Sequence, residues 1–157
     1  MKATSLFATL LLITFTFFAQ QATAQMAMPV QWSFTAVKVN NDEYEVRATA
    51  NIQQGWYVYS QSLEKEGPIP TTLEIDKNPA IEVNGKTEEV GTKKEDYDKN
   101  YDMKIVKLTG EVTLKQRIRL KDAAATVSGT VTFQTCNNEL CIPPQDIPFK
   151  VALKKEL

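Results

Sequence analysis

The chain has 157 residues, of which 18 are basic and 19 acidic, so its net charge is −1. This balance gives no basic surface for nucleic acid or for an anionic membrane, and we expect neither as a partner. The sequence has no histidine and two cysteines. This composition excludes Ser-His-Asp and Cys-His nucleophile pairs and leaves too few ligands for structural zinc, so we expect neither a metal nor a cofactor.

The first 24 residues have the pattern of a signal peptide. Lys2 precedes an apolar run from Leu6 to Phe18, and the small residues Ala22-Thr23-Ala24 follow that run. The run is shorter than the ~20 residues that a membrane-spanning helix needs. We therefore expect cleavage after Ala24 and an exported, soluble domain formed by residues 25–157, in a compartment where disulfides persist. A retained N-terminal anchor is the alternative.

The rest of the chain has the pattern of short strands separated by turns. Apolar and polar residues alternate over 44–52, 127–133 and 147–153, which is the period of a half-buried strand. The other candidate strands are Val30–Val39, Trp56–Ser60, Thr72–Ile75, Ile81–Asn84, Lys104–Leu108 and Glu111–Leu120. Turn signals such as Asn84-Gly85 and Thr109-Gly110 fall between them. This spacing predicts an all-β fold, an immunoglobulin-like antiparallel β-sandwich in one domain.

Two segments allow either a structural or a functional interpretation. In Gly55-Trp56-Tyr57-Val58-Tyr59 the alternate aromatics are typical of strand packing, but tyrosines facing a disulfide also shield it and hydrogen-bond a departing thiolate. Residues 88–102 are dense in charge, with Val90, Tyr97 and Tyr101 as their apolar members. They predict either a solvated loop between strands or a mobile flap whose aromatic tip covers a reactive group.

The two cysteines, Cys136 and Cys141, flank a polar turn of four residues and precede Pro143-Pro144. Paired residues on antiparallel strands have Cα atoms about 4.5 to 5.5 Å apart, which suits a disulfide. Closing a loop of six residues stabilises a domain by about 2 kcal/mol, whereas a loop of about 100 residues gives nearly 5. This pair is therefore better placed to open and close than to staple the fold.

These three segments, in this order, resemble the N-terminal periplasmic domain of DsbD, the bacterial transmembrane disulfide reductase. The most specific part is Phe133-Gln134-Thr135-Cys136 followed by Cys141-Ile142-Pro143-Pro144, and the resemblance extends from Val30 to Leu153. It implies a periplasmic immunoglobulin-like domain whose cysteine pair alternates between dithiol and disulfide. Electrons arrive from a thioredoxin-like domain fed by a membrane-embedded partner, and they pass to exported thioredoxin-fold proteins.

The resemblance also implies roles for individual residues. An aromatic cap loop covers the cysteines until a partner docks, and Cys141 is the sulfur that faces the partner. The implied site consists of the redox pair Cys136 and Cys141, the cap aromatic Tyr97 with Asp96 beside it, and the site-lining Tyr57 and Tyr59.

Two features depart from the family's pattern. Four residues separate the cysteines here, where family members often have five. The chain also carries neither the membrane domain nor the thioredoxin-like domain. We therefore expect a monomer that relays electrons between separate proteins, namely a membrane electron donor and thioredoxin-fold exported proteins.

Two functions remain open on sequence alone. The first is a redox carrier, in which a partner thiolate attacks one sulfur, a mixed disulfide forms and a second cysteine resolves it. The second is a non-catalytic exported binding module whose disulfide is structural. The reduction potential of the pair discriminates the two, because structural disulfides of exported proteins lie below about −300 mV.

Overall fold

Eight antiparallel strands build the part of the chain that the computed structural model describes, residues 28–63 and 67–155. In chain order they are β1 (Val30–Lys38), β2 (Glu43–Ile52), β3 (Tyr57–Tyr59), β4 (Thr72–Ile75), β5 (Ile81–Asp98), β6 (Met103–Leu120), β7 (Ala124–Cys136) and β8 (Cys141–Lys154). The signal peptide predicted at residues 1–24 lies outside the described residues. Within the described ranges no helix is long and apolar enough to cross a membrane.

The strands pair in the order β1-β2-β6-β3-β7-β4, with β5 added to β6 and β8 added to β7. This sheet curls so that β1 faces β7 and β8 across the core. Phe34 stacks on Phe149 with ring centroids 4.7 Å apart, and Trp32 packs against Phe133 at 5.5 Å. The predicted all-β, immunoglobulin-like sandwich is confirmed.

Strand alternation determines which side chains form the core. Along β2 the inward residues Tyr44, Val46, Ala48 and Ala50 are buried, as the sequence pattern predicts. They pack with apolar residues of β6, β7 and β8 in one cluster. The apolar area removed from water by this cluster is the main term that favours folding.

The long β5–β6 hairpin differs from the prediction. The sequence predicts a solvated loop or a mobile flap at residues 88–102, but residues 88–98 continue β5 and the connection is limited to residues 99–102. Asn84-Gly85 and Thr109-Gly110 likewise do not end strands. Each lies where the β5–β6 ladder shifts register, and both glycines have positive φ (71° and 69°), as β-bulges often require. Because β5 pairs with β6 alone, most of its side chains face solvent, and this explains its loop-like composition.

Candidate functional site

The cysteine pair closes the β7–β8 hairpin. Cys136 ends β7, Cys141 begins β8, and the two are register partners joined by a disulfide with Cα atoms 4.1 Å apart. The turn between them forms locally. The Asn137 backbone N–H donates to the carbonyl of Leu140, and the Asn137 side-chain oxygen accepts from the N–H groups of Glu139 and Leu140. Asparagine favours such turns because its side chain satisfies nearby backbone donors. The predicted hairpin disulfide is confirmed.

The two sulfurs differ in their access to solvent. Cys136 is fully buried because β7 lies between β3 and β8, whereas Cys141 is partly exposed on β8. The β7–β8 register shifts between Phe133 and Thr135, opposite Pro143-Pro144. Proline has no N–H to donate to a ladder, so an irregular position on an outer strand suits it. A molecule approaching from solvent therefore reaches Cys141 before Cys136.

Tyr57 and Tyr59 lie directly behind the disulfide, as the resemblance implied. Both belong to β3, which pairs with β7 so that Tyr57 lies opposite Cys136. Their rings meet edge to face at 5.6 Å, and both side chains are buried. The Tyr59 hydroxyl oxygen lies 3.1 Å from the Sγ atom of Cys136 and 3.9 Å from that of Cys141. A phenol hydroxyl thus contacts the buried sulfur.

A buried carboxylate joins the two phenols. Asp98 Oδ2 accepts from the hydroxyls of Tyr57 (2.8 Å) and Tyr59 (3.0 Å), and the ammonium of Lys107 lies 3.2 Å away. Its other oxygen accepts from the backbone N–H of Asn100 at 2.8 Å. The Lys107 Nζ atom also lies 4.2 Å from the Tyr57 ring centroid, in a cation–π geometry. Both oxygens of the Asp98 carboxylate therefore have hydrogen-bond partners.

This environment fixes the protonation states. Burial, helped by the neighbouring carboxylate of Asp98, raises the pKa of Tyr57 to about 12. Burial, Tyr57 and Asp98 raise the pKa of Tyr59 well above the ordinary phenol value. For Asp98, burial works to raise the pKa, but hydrogen bonds from Tyr57, the Asn100 N–H and Lys107 outweigh it and hold the pKa below its usual value. At neutral pH both phenols keep their protons and the carboxyl is ionised.

The β5–β6 turn also contacts Tyr59, through Tyr101. The Tyr101 ring packs edge-on against the Tyr59 ring at 5.8 Å, and its hydroxyl donates to Gln134 Oε1 at 3.0 Å. Asn100 Nδ2 donates to the carbonyl of Asn137 at 3.3 Å, so the two turns contact each other. Tyr101 belongs to the apolar cluster that contains Cys136 and Cys141. An aromatic residue of this segment therefore packs in the cluster that contains the cysteines, against Tyr59.

That residue is not the one predicted. Tyr97, the predicted cap, is 51% exposed, and its hydroxyl donates to Asp102. Side chains alternate along a strand, so Tyr97 lies on the opposite face of β5 from Asp98. Asp96 shares the face of Asp98 but is one step further from the turn, where it forms an exposed ion pair with Lys94 (2.8 Å).

Sequence reasoning also missed the buried pair of Asp98 and Lys107. Asp98 lies in a run of acidic and basic residues, and the sequence has no mark that separates it from Asp96. Asp96 lines a surface cleft of about 450 Å³ beside Trp56, Tyr57 and Lys107. Among the residues that the structure describes, no group of three or more His, Cys, Asp or Glu side chains is placed to hold a metal ion.

The fold and the site together define a β-sandwich domain that carries one disulfide at the end of a hairpin, against buried tyrosines. The family described as thiol:disulfide interchange protein DsbD, N-terminal, matches residues 22–153. The chain belongs to this family, whose members are thiol–disulfide exchange domains with a cysteine pair.

Comparison with solved structures found similar chains, two of which follow. The N-terminal periplasmic domain of ScsB from Proteus mirabilis matches with a TM-score of 0.57 and 16% identity, over 80% of this chain and 49% of that one. The chain thus spans about half of that ScsB chain. The reduced DsbD N-terminal domain of Neisseria meningitidis matches with a TM-score of 0.48 and 18% identity, over 78% of this chain and 90% of that one. Comparison with curated protein sequences found no match.

Proposed function

We propose that this protein passes reducing equivalents to or from thioredoxin-fold partners through the Cys136–Cys141 pair. One observation carries the proposal: the disulfide presents one partly exposed sulfur, while the other is buried against a phenol hydroxyl 3.1 Å away. Thiol–disulfide exchange needs both features, an accessible sulfur for the attacking thiolate and a stabilised sulfur that leaves.

The exchange balances without a cofactor. A partner thiolate attacks Cys141 Sγ, a mixed disulfide forms, and the bond to Cys136 breaks so that Cys136 leaves as a thiolate. The partner's second thiolate then attacks the partner's first cysteine sulfur, which is bonded to Cys141 in the mixed disulfide. This step closes the partner's disulfide and releases Cys141 as a thiolate. The pair has gained two electrons and takes up two protons from solvent. In the reverse direction the same steps reduce a partner's disulfide.

Tyr59 supplies the stabilisation of the leaving sulfur. Its hydroxyl is within hydrogen-bond distance of Cys136 Sγ, and its raised pKa keeps it protonated, so it acts as a donor over the physiological pH range. A hydrogen bond to a charged acceptor is worth about 1.5–3 kcal/mol. The donation lowers the free energy of the thiolate and makes Cys136 a better leaving group.

We assign the capping role to Tyr101 in the turn of residues 99–102. Its ring packs on Tyr59 in the same cluster as both cysteines, and its hydroxyl bond to Gln134 holds it there. This cover slows the access of small thiols to the disulfide. A docking partner displaces the turn, which Tyr101 and Asn100 hold in place through hydrogen bonds to Gln134 and to the Asn137 carbonyl.

The family and the N-terminal sequence support a proposal for the cellular setting. Export through the pattern in residues 1–24 delivers the protein to the periplasm, where a disulfide persists. In this setting a membrane-embedded donor supplies electrons, and exported thioredoxin-fold proteins receive them.

The experiment is a redox titration of the purified protein against glutathione and dithiothreitol buffers. An exchange pair has a reduction potential above about −300 mV, whereas a purely structural disulfide lies below it. A potential above that limit, with rapid equilibration by a thioredoxin-fold protein, supports the proposal. A potential below it makes the protein a binding module with a structural disulfide.

A further inference from the structure

Two opposite charges are buried behind the disulfide. The Asp98 and Lys107 side chains are 0% and 8% exposed, and their charged atoms lie 3.2 Å apart. A buried ion pair adds little net stability, because the loss of hydration offsets the mutual attraction. The main effect of this pair is therefore on the reactivity of the nearest reacting atom.

That atom is Cys136 Sγ, and Tyr59 connects it to the pair. The Tyr59 hydroxyl has one proton and two acceptors in reach, Asp98 Oδ2 at 3.0 Å and Cys136 Sγ at 3.1 Å. While the disulfide is closed, the sulfur is a weak acceptor and the carboxylate a strong one, so the proton points to Asp98. When the bond opens, the Cys136 thiolate competes for the same proton.

The two anions then face each other across one phenol. The carboxylate lies at most about 6 Å from the thiolate along the two hydrogen bonds, a distance at which a like charge disfavours ionisation. The Lys107 ammonium contacts the carboxylate and opposes that repulsion. Among the described residues, Tyr57 on β3, Tyr101 in the β5–β6 turn and Cys141 on β8 are further titratable members of the cluster around Cys136, and Glu139 lies in the turn between the two cysteines.

We infer that Asp98 and Lys107 are positioning residues that set the stability of the Cys136 thiolate, with Tyr59 as the contact between them. Asp98 orients the Tyr59 hydroxyl in the oxidised state, and Lys107 offsets the charge of Asp98 when the thiolate forms. The inference rests on the proposed function, because it concerns how easily Cys136 leaves.

The charges of Lys107 and Asp98 should therefore have opposite effects on the pKa of Cys136. Without the charge of Lys107, the Asp98 carboxylate faces the thiolate unopposed, and the pKa of Cys136 rises. Without the charge of Asp98, the Lys107 ammonium remains and the pKa of Cys136 falls. Removing both charges returns the pKa close to its starting value. A purely structural role for the pair predicts no such ordering.

The experiment titrates Cys136 alone. In a Cys141→Ser background Cys136 is the single thiol, and its ionisation is followed by thiolate absorbance in the ultraviolet as pH rises. We expect Lys107→Met to raise the pKa by about 1 unit and Asp98→Asn to lower it by about 1 unit, from the usual effect of a charge at this distance. The variant with both substitutions should lie within about 0.5 unit of the background.

A matched control lies at the other end of the β5–β6 hairpin. Glu82 and Lys121 form an exposed ion pair at 3.8 Å, so Lys121→Met and Glu82→Gln should leave the titration unchanged. Lys107→Arg keeps the charge and should restore the background value. If Lys107→Met does not fold, the comparison of Asp98→Asn with the double variant still shows whether the charge of Lys107 lowers the pKa of Cys136.

Equal-direction shifts in the two single variants, or no shifts, would overturn the inference. The titration needs no partner, so it separates this inference from the proposed function. A protein that shows the opposite shifts but a potential below about −300 mV contradicts the proposed function alone. A protein that exchanges with partners but lacks the opposite shifts contradicts the positioning role alone.

Discussion

The hydroxyl oxygen of Tyr59 lies 3.1 Å from the Sγ atom of Cys136, and both side chains are fully buried. Because β3 is held between β6 and β7, the phenol cannot move away from the sulfur without breaking strand pairs. A donor is thus fixed at the atom where negative charge develops when the disulfide opens. The phenol oxygen is already in place there, and the proton stabilises the developing charge when it turns from Asp98 to the sulfur.

Tyr59→Phe tests this relationship. The substitution removes a hydrogen bond to a charged sulfur, worth about 1.5–3 kcal/mol, so reduction by dithiothreitol should slow about tenfold or more. Stopped-flow fluorescence measures the rate. Tyr44→Phe is the control, since the Tyr44 hydroxyl donates to the Lys154 carbonyl at 2.7 Å, outside the redox site, and its loss should leave the rate unchanged. Equal rates for Tyr59→Phe and the parent protein would remove Tyr59 from the mechanism.

The cap assignment distinguishes two tyrosines four residues apart. Tyr101→Ala removes the ring that packs on Tyr59, so glutathione should reduce the disulfide faster while the melting temperature changes little. Tyr97→Ala removes a ring that is 51% exposed and should leave the rate unchanged. If Tyr97→Ala accelerates reduction and Tyr101→Ala does not, the cap is Tyr97 after all.

Because the carboxylate of Asp98 is buried, we expect it to make the free energy of unfolding depend on pH in the acid range. The pKa of Asp98 is held below its ordinary value of 3.8, so its stabilising contribution is fully present above that value and is lost as pH falls through the lower folded-state pKa. In Asp98→Asn the free energy of unfolding should therefore decrease less steeply below about pH 4 than in the parent protein. Urea unfolding at a series of pH values measures both slopes. Identical slopes would show that Asp98 does not have a depressed pKa.

The β4–β7 contact depends on Gly129. A Cβ at this position would lie 2.1 Å from the carbonyl oxygen of Glu74 and 2.9 Å from the Phe149 ring. Gly129→Ala should destabilise the protein by about 1–3 kcal/mol or more, measured by urea unfolding, because backbone must move to make room. Ser128→Ala removes only an exposed hydrogen bond to Asp76 and should change the stability little. A Gly129→Ala variant as stable as Ser128→Ala would contradict this packing.

The sequence predicts most of the strands because their buried faces alternate with a period of two. It does not predict the β5–β6 hairpin, since β5 is an outer strand whose exposed, charged side chains look like those of a loop. The bulges at Gly85 and Gly110 show why the turn signals misled. A glycine with positive φ fits a bulge inside a strand as well as a turn between strands.

The candidate site likewise contains residues that the sequence predicts and residues that it does not. Cys136, Cys141, Tyr57 and Tyr59 follow from motifs that adjoin clear strands. The choice between Tyr97 and Tyr101 depends on the face of β5 and on where its turn begins, and neither is readable before the register is known. Asp98 and Lys107 meet only because β5 folds back on β6, so local sequence carries no sign of their pairing.

Partner access to Cys141 is the central claim, and single-cysteine variants test it directly. The probe is a thioredoxin-fold protein whose one active-site cysteine is a mixed disulfide with thionitrobenzoate. A free thiol of this protein attacks the probe's cysteine sulfur and releases the coloured thionitrobenzoate anion. Both Cys136→Ser and Cys141→Ser should stay folded, because closing a six-residue loop contributes about 2 kcal/mol against a typical 5–15.

The measurement is the rate of thionitrobenzoate release by the two folded variants at the same pH. We predict fast release and a stable mixed disulfide through Cys141 in Cys136→Ser, and slow release in Cys141→Ser, whose remaining sulfur is fully buried. Faster release through Cys136 would contradict the assignment of the partner-facing sulfur, and no release by either variant would contradict the exchange function itself.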